Sequence, residues 1–314
     1  MSDSPSGHRV EISLLPRAFS GSADFVTISN LIIEKYASMA GGGAIDGGAG
    51  SNYWNVAGNE LRFNHGMGIR SGDGMWIHSN KTHHNGQLGM GGGGTSIFVQ
   101  GNEIYFNNYA GYSFYWEGGG MKFAYANNLT VQYNQSHDNS GPGFWTDINS
   151  QFIRIDSNQA TRNKMAGILL ELSYNATVSN NYIWNDAFNS AGSSLWWGAG
   201  ILVSNSTDVE IYGNHVSNCM NGIGGVLANR GLNPVGLPYL IQNLNVHDNS
   251  ITQNTGTAAG IVKSSVFDNS VYTSWSNHFQ NNPFVLTNPG TYYYFYWLGA
   301  TWTLATWNNN ISLH

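Results

Sequence analysis

Asn134-Gln135-Ser136-His137-Asp138-Asn139-Ser140-Gly141-Pro142-Gly143 carries two asparagines five residues apart and a glycine four residues after the second. The marks recur. Asn64/Gly68, Asn85/Gly89, Asn107/Gly111, Asn163/Gly167 and Asn218/Gly222 repeat the second spacing. Asn59, Asn80, Asn102, Asn158, Asn180 and Asn249 stand five residues before Asn64, Asn85, Asn107, Asn163, Asn185 and Asn254. Successive units are 21 or 22 residues apart where nothing is inserted, and 24 apart between Asn139 and Asn163. Between the marks lie short alternating stretches rich in β-branched and aromatic residues, such as Ser96-Ile97-Phe98-Val99, Phe152-Ile153-Arg154-Ile155 and Val209-Glu210-Ile211-Tyr212. Period-two alternation is the signature of half-buried strands.

A unit of this length with about three short strands and Asn/Gly corners is one turn of a coil. Stacked coils place equivalent residues about 4.8 Å apart. Asparagine at a corner tolerates left-handed backbone and can bond to its counterpart in the next coil, and glycine turns without a Cβ clash. The expected fold is therefore all-β: a single-stranded right-handed parallel β-helix over residues 1–290, with aromatic loop insertions. The aromatic segment 291–314, which holds Tyr292-Tyr293-Tyr294-Phe295-Tyr296-Trp297, departs from the repeat and is expected to cap the open end. A leucine-rich repeat needs a recurrent Leu-x-Leu-x-x-Asn line, and a WD40 propeller needs recurrent Trp-Asp; both are absent.

Composition agrees. Gly and Asn each number 40 in 314 residues, while charged residues are only 10%. That is too much Gly and Asn for a helical bundle, and 42 aromatic side chains (11 Trp, 17 Tyr, 14 Phe) are too many for a disordered chain. The net charge of −6 and the lack of a basic stripe argue against nucleic acid as a partner. No run of 18 apolar residues suggests a membrane span. Cys219 is the one cysteine, so no intrachain disulfide is expected.

Gly101-Asn102-Glu103-Ile104-Tyr105-Phe106-Asn107, the run 141–149 and the run 167–176 resemble the repeats of the right-handed parallel β-helix families of polysaccharide-active proteins. These include glycoside hydrolases, polysaccharide lyases and uronate epimerases. The resemblance spans roughly residues 20–290. It implies a polysaccharide or oligosaccharide partner and an extracellular or periplasmic setting, although the chain opens on no signal peptide. A homo-oligomer stays open.

Aligning the coils on Gly120, Gly143, Gly167 and Gly200 makes positions one and three of the following strand apolar and inward, and positions two and four outward. Asp147 and Glu171 then share the outward position four of adjacent coils, about 5 Å apart. Lys122 and Trp145 project from the same face at position two. Two stacked carboxylates repel, so one pKa rises while the other stays low, as a general acid and a nucleophile require. Glu171 is assigned as acid/base and Asp147 as nucleophile, with Lys122 and Glu117 assisting. Two insertions leave the coil at one corner. One carries Tyr109, Tyr112, Phe114, Tyr115, Trp116 and Glu117; the other carries Phe188, Leu195, Trp196 and Trp197. Aromatic walls around paired acids suit sugars, whose ring faces stack on Trp and Tyr. Trp145, Tyr115, Trp116, Tyr174, Trp196, Trp197, Arg70 and His65 are the candidate substrate contacts, and no metal ligand set is assigned. In the alternative, a lyase or epimerase, Lys122 abstracts the C5 proton and a carboxylate-bound Ca²⁺ neutralises an acidic sugar; the scarcity of bases argues against that substrate. A third reading is a non-catalytic glycan-binding or structural β-helix. Gly89-Met90-Gly91-Gly92-Gly93-Gly94 matches a dinucleotide fingerprint by letter, but it opens no helix and is discounted.

Overall fold

The computed structural model describes residues 6–7, 11–48, 50–187 and 196–311. Each coil runs through three parallel faces. In one coil these are Phe144–Asp147, Gln151–Asp156 and Gln159–Thr161. The next coil repeats them as Ala166–Glu171, Tyr174–Ser179 and Tyr182–Trp184. The third faces form a sheet of ten described strands. Leu88–Gln100 and Gly119–Gln132 run unbroken through the corner between first and second faces, joining those faces into one sheet.

The alternation read from sequence sets the interior. Ile45, Ile69, Met90, Met121, Phe144, Ile168, Ile201 and Ile223 stack in register along the first face. Val56, Ile77, Val99, Val131, Ile155, Val178, Ile211 and Val246 do the same on the second. All are buried in one core. No coil closes this core alone, so stability is shared between neighbours.

Asparagine holds the corners. Asn59, Asn80, Asn102, Asn134, Asn158, Asn181, Asn214, Asn249 and Asn282 form a continuous ladder. In each step the backbone N–H and the side-chain Nδ2 both donate to the Oδ1 of the next asparagine. A second ladder runs through Asn64, Asn85, Asn107, Asn139 and Asn163 and ends on Asp186. Two sequence assignments shift by one residue here. Asn180 and Asn185 occupy the left-handed positions, with φ of 56° and 58°, while Asn181 and Asp186 hold the ladders. Asparagine suits both sites, so its identity alone does not fix the register.

The glycines interlock with the second ladder. A Cβ on Gly143 would lie 2.7 Å from Asn163 Nδ2, and one on Gly120 2.9 Å from Asn139 Nδ2. The amide of each coil fills the space that a side chain would need in the coil before it. Gly143→Ala is therefore expected to destabilise the protein by about 1–3 kcal/mol. A chemical-denaturation midpoint equal to wild type would contradict this packing.

Beyond residue 290 the chain first adds a strand: Phe295–Trp297 pairs parallel with the first face. It then turns back in the antiparallel strand Ala300–Trp302 and closes with the helix Leu304–Ile311. Trp297, Trp307 and Ile311 pack on Phe279 and Phe295, the last core residues of the coils.

Candidate active site

The outward side of the first face carries two columns. One runs Asp46, Arg70, Gly91, Lys122, Trp145, Leu169, Leu202. The other places Ala124 beside Asp147, and Glu171 beside Ser204, with Asp147 and Glu171 on adjacent coils. The sequence reading had this register.

Lys122 is the hub. Its Nζ lies 2.8 Å from Asp147 Oδ2, donates to Glu117 Oε1 (3.3 Å) and to the Trp116 carbonyl (2.5 Å), and sits 3.8 Å from the centre of the Trp145 ring. Glu171 pairs instead with Arg230. Arg230 was not foreseen: it comes from the loop 228–241, between the first-face strand Ile223–Leu227 and the second-face strand Gln242–His247. Asn205 ties that loop down, donating from Nδ2 to the carbonyls of Ala228 and Tyr239 at 2.7 and 2.8 Å. Both acids are almost closed off, Asp147 being 4% and Glu171 5% exposed. Burial first, and then the charge of Asp147, push the Glu171 carboxyl above its ordinary value, against the opposing pull of Arg230 and Lys122.

An open cavity of about 570 Å³ lies on the N-terminal side of the pair. Arg70, Asp73, Trp116, Glu117, Lys122 and Tyr125 line it, and Gly92, Gly93 and Gly94 leave part of its lining without side chains. The discounted glycine run thus has a role in shaping the cavity. Gln87 also lines it; this side chain is buried, its Oε1 accepts from Gly41 N–H, and its Nε2 has no partner among the described residues. Asp46 is fixed behind Arg70 by Arg17 and Arg70 at 2.8 and 3.3 Å.

The remaining candidates divide. Trp116 and Tyr115 are exposed, and Trp116 lines the cavity while Tyr115 meets Trp197 edge-on. Trp145 and Trp196 are corrected: each is only 1% exposed, in a second apolar cluster with Met165, Leu169 and Leu202. Phe114, Trp196 and Trp197, from the two insertions, pack on the outward face, so neither the Trp145 nor the Trp196 ring is open to a sugar. Trp197 is half-buried against the same cluster. Tyr174 stacks on Tyr239, and His65 sits at a corner against Ser38 and Tyr112; neither lines the cavity. Phe188 and Leu195 lie outside the described residues. Each central carboxylate is engaged by a cation, and no group of three His, Cys, Asp or Glu side chains among the described residues could hold a metal ion.

The model of the right-handed β-helix region matches residues 43–216, more than half of the chain. The chain belongs to the right-handed β-helix family. No curated protein matches it in sequence. Among solved structures, the β-helix protein is similar to XylC in complex with xylose, with a TM-score of 0.59 and 15% identity over 84% of this chain. It spans about half (49%) of that structure's length. It is also similar to the A-module of the Azotobacter vinelandii mannuronan C-5 epimerase AlgE4 (TM-score 0.57, 14% identity, 89% of this chain and 75% of that one). The periplasmic alginate epimerase AlgG follows at 0.53, with 15% identity over 84% of this chain and 70% of that one. At these identities the likeness establishes the fold. No helix among the described residues is long and apolar enough to cross a membrane.

Proposed function

We propose that this β-helix protein is an extracellular or periplasmic carbohydrate-active enzyme that hydrolyses a poly- or oligosaccharide. The observation that carries this reading is the pair of buried acids on adjacent coils, Asp147 held by Lys122 and Glu171 by Arg230, with burial and then the charge of Asp147 raising the Glu171 carboxyl. The glycan lies in the cavity along Arg70, Asp73 and Trp116, which Lys122 lines and neither Asp147 nor Glu171 does, so the cover over the pair must open for it to react. Glu171 donates its proton to the glycosidic oxygen as Asp147 attacks the anomeric carbon, giving a glycosyl ester and the released alcohol. Glu171 then takes a proton from water, which cleaves the ester. Adjacent coils bring the two backbones to about 4.8 Å, close to the 5–5.5 Å carboxyl separation of retaining enzymes. The test is a panel of neutral glycans, read for new reducing ends and for the anomer first released. Retention of configuration supports the scheme; binding without cleavage across the panel overturns it.

One observation favours a second reading. Arg70 and Lys122 line the same cavity as Asp73 and Glu117, so an acidic sugar would meet two cations beside two acids. There a lyase or epimerase would use Lys122 at the C5 proton. An unsaturated product absorbing in the near ultraviolet, or inversion at C5, selects that reading over hydrolysis.

A further inference from the structure

The third face carries its own outward column: His83, Tyr105, His137, Thr161 and Trp184, in register on successive coils. Its rings stack. His83 and Tyr105 are 4.6 Å apart at 19°, and Tyr105 and His137 are 5.1 Å apart at 9°. Beyond the next coil, Tyr182 and His215 resume stacking in the neighbouring column, at 4.7 Å and 3°. Thr161 interrupts the series. Where it stands, a cavity of about 230 Å³ opens between His137 and Trp184, lined also by Gln135, Gln159 and Arg162.

Three features mark this gap as built for a guest. Thr161 is 6% exposed, and its Oγ1 has no hydrogen-bond partner among the described residues. That hydroxyl is closed off from solvent, and the short side chain leaves open the level at which neighbouring coils carry a ring. The Arg162 guanidinium is fixed at the rim by two bonds to Asp138, at 2.7 and 2.6 Å. Gln135 and Gln159 stand exposed along the other rim, offering amide donors and acceptors. The lining selects the guest. The levels of His137 and Trp184 are two coil rises apart, about 9.6 Å, which leaves room for one ring between them. A saccharide ring presents apolar C–H faces and carries hydroxyls around its edge, which suits aromatic side chains flanked by amides and a guanidinium. The cavity is smaller than the roughly 300–1,000 Å³ of pockets for drug-sized ligands, so it takes one ring.

We propose that the notch at Thr161 is a second, non-catalytic saccharide site that holds a single pyranose unit between His137 and Trp184. It lies on the third face rather than the first, so it does not depend on the chemistry assigned to Asp147 and Glu171. The sugar would rest on Thr161, with its edge hydroxyls on Gln135, Gln159 and Arg162. A second point of attachment would keep a long glycan on the protein between cleavage events.

The probes are the methyl glycosides of glucose, galactose, mannose and xylose, read by saturation-transfer NMR on the full chain. Thr161→Phe supplies the missing ring from the protein itself. It is expected to remove the notch's share of the transfer, leaving what the cavity along Arg70 and Trp116 gives, without lowering the melting temperature. Trp184→Ala removes one wall and should weaken that share at least fivefold, and it decides the matter if Thr161→Phe fails to fold. Absence of transfer from every glycoside to wild type, or wild-type transfer in both notch variants, overturns the proposal.

Discussion

Glu171→Gln is expected to lower kcat for glycan cleavage about a thousandfold or more while leaving KM within a few fold, because the amide cannot donate the proton that the leaving oxygen needs. Asp147→Asn should be as damaging, by removing the nucleophile, and it also removes the charge that raises Glu171. The pH profile carries the sign. A general acid works only while protonated, so wild-type activity should extend above the ordinary glutamate value near 4.5 before its alkaline limb falls. Because Lys122 is tied to Asp147 as well as Glu117, and Arg230 to Glu171, circular dichroism and melting curves must accompany the kinetics. Folded variants that cleave at the wild-type rate would remove both residues from the mechanism.

The second large effect concerns Asp186. It ends the second ladder as an acid in an amide's place, accepting from Asn163 N–H and Nδ2 at 2.7 and 3.0 Å through one oxygen. The other oxygen, Oδ2, is buried without a partner among the described residues and lies where a Cβ on Gly167 would come within 2.9 Å. Asn163 Nδ2 fills the equivalent place against Gly143 and donates to the Ser136 carbonyl. Protonated Asp186 can imitate that donor; ionised Asp186 cannot. Full burial pushes its carboxyl up from 3.8 to about 8. The folded chain therefore keeps a proton that the unfolded chain loses above about pH 4. Stability attributable to this group is complete below pH 4 and falls by about 1.4 kcal/mol per pH unit until the folded carboxyl itself ionises near pH 8. Asp186→Asn should match wild type near pH 4 and exceed it by several kcal/mol at pH 8, by denaturant titration. A difference that stays flat between those pH values would show that Asp186 is not protonated in the fold.

The repeat was legible because its physics is local to one coil. The Asn–Gly spacing, the inward alternation and the shared outward face of Lys122, Asp147 and Glu171 all follow from register. What the sequence hid depends on where insertions land. Trp145 reads as an outward ring and is one, yet Trp196 and its neighbours cover the apolar cluster in which it sits. Arg230 reaches Glu171 across 59 residues, through a loop whose path Asn205 sets. No periodicity encodes that contact. The cavity escaped notice because several of its lining residues are glycines, which carry no side-chain signal, and because Gln87 matters for an atom left unbonded.

The asparagine ladder also gives the molecule a direction. Every step sends its two N–H groups toward the coil that follows in sequence, so a stack interrupted at any point ends in open donors awaiting one Oδ1. The contact that satisfies them lies only 21 to 35 residues ahead. A chain emerging from the ribosome can therefore close its coils in the order of synthesis, each finished coil serving as the template for the next. Aligned amide dipoles strengthen the run as it lengthens. The ladder is in this sense a ratchet for assembly, and the hairpin and helix after Phe295 are the stop that ends it.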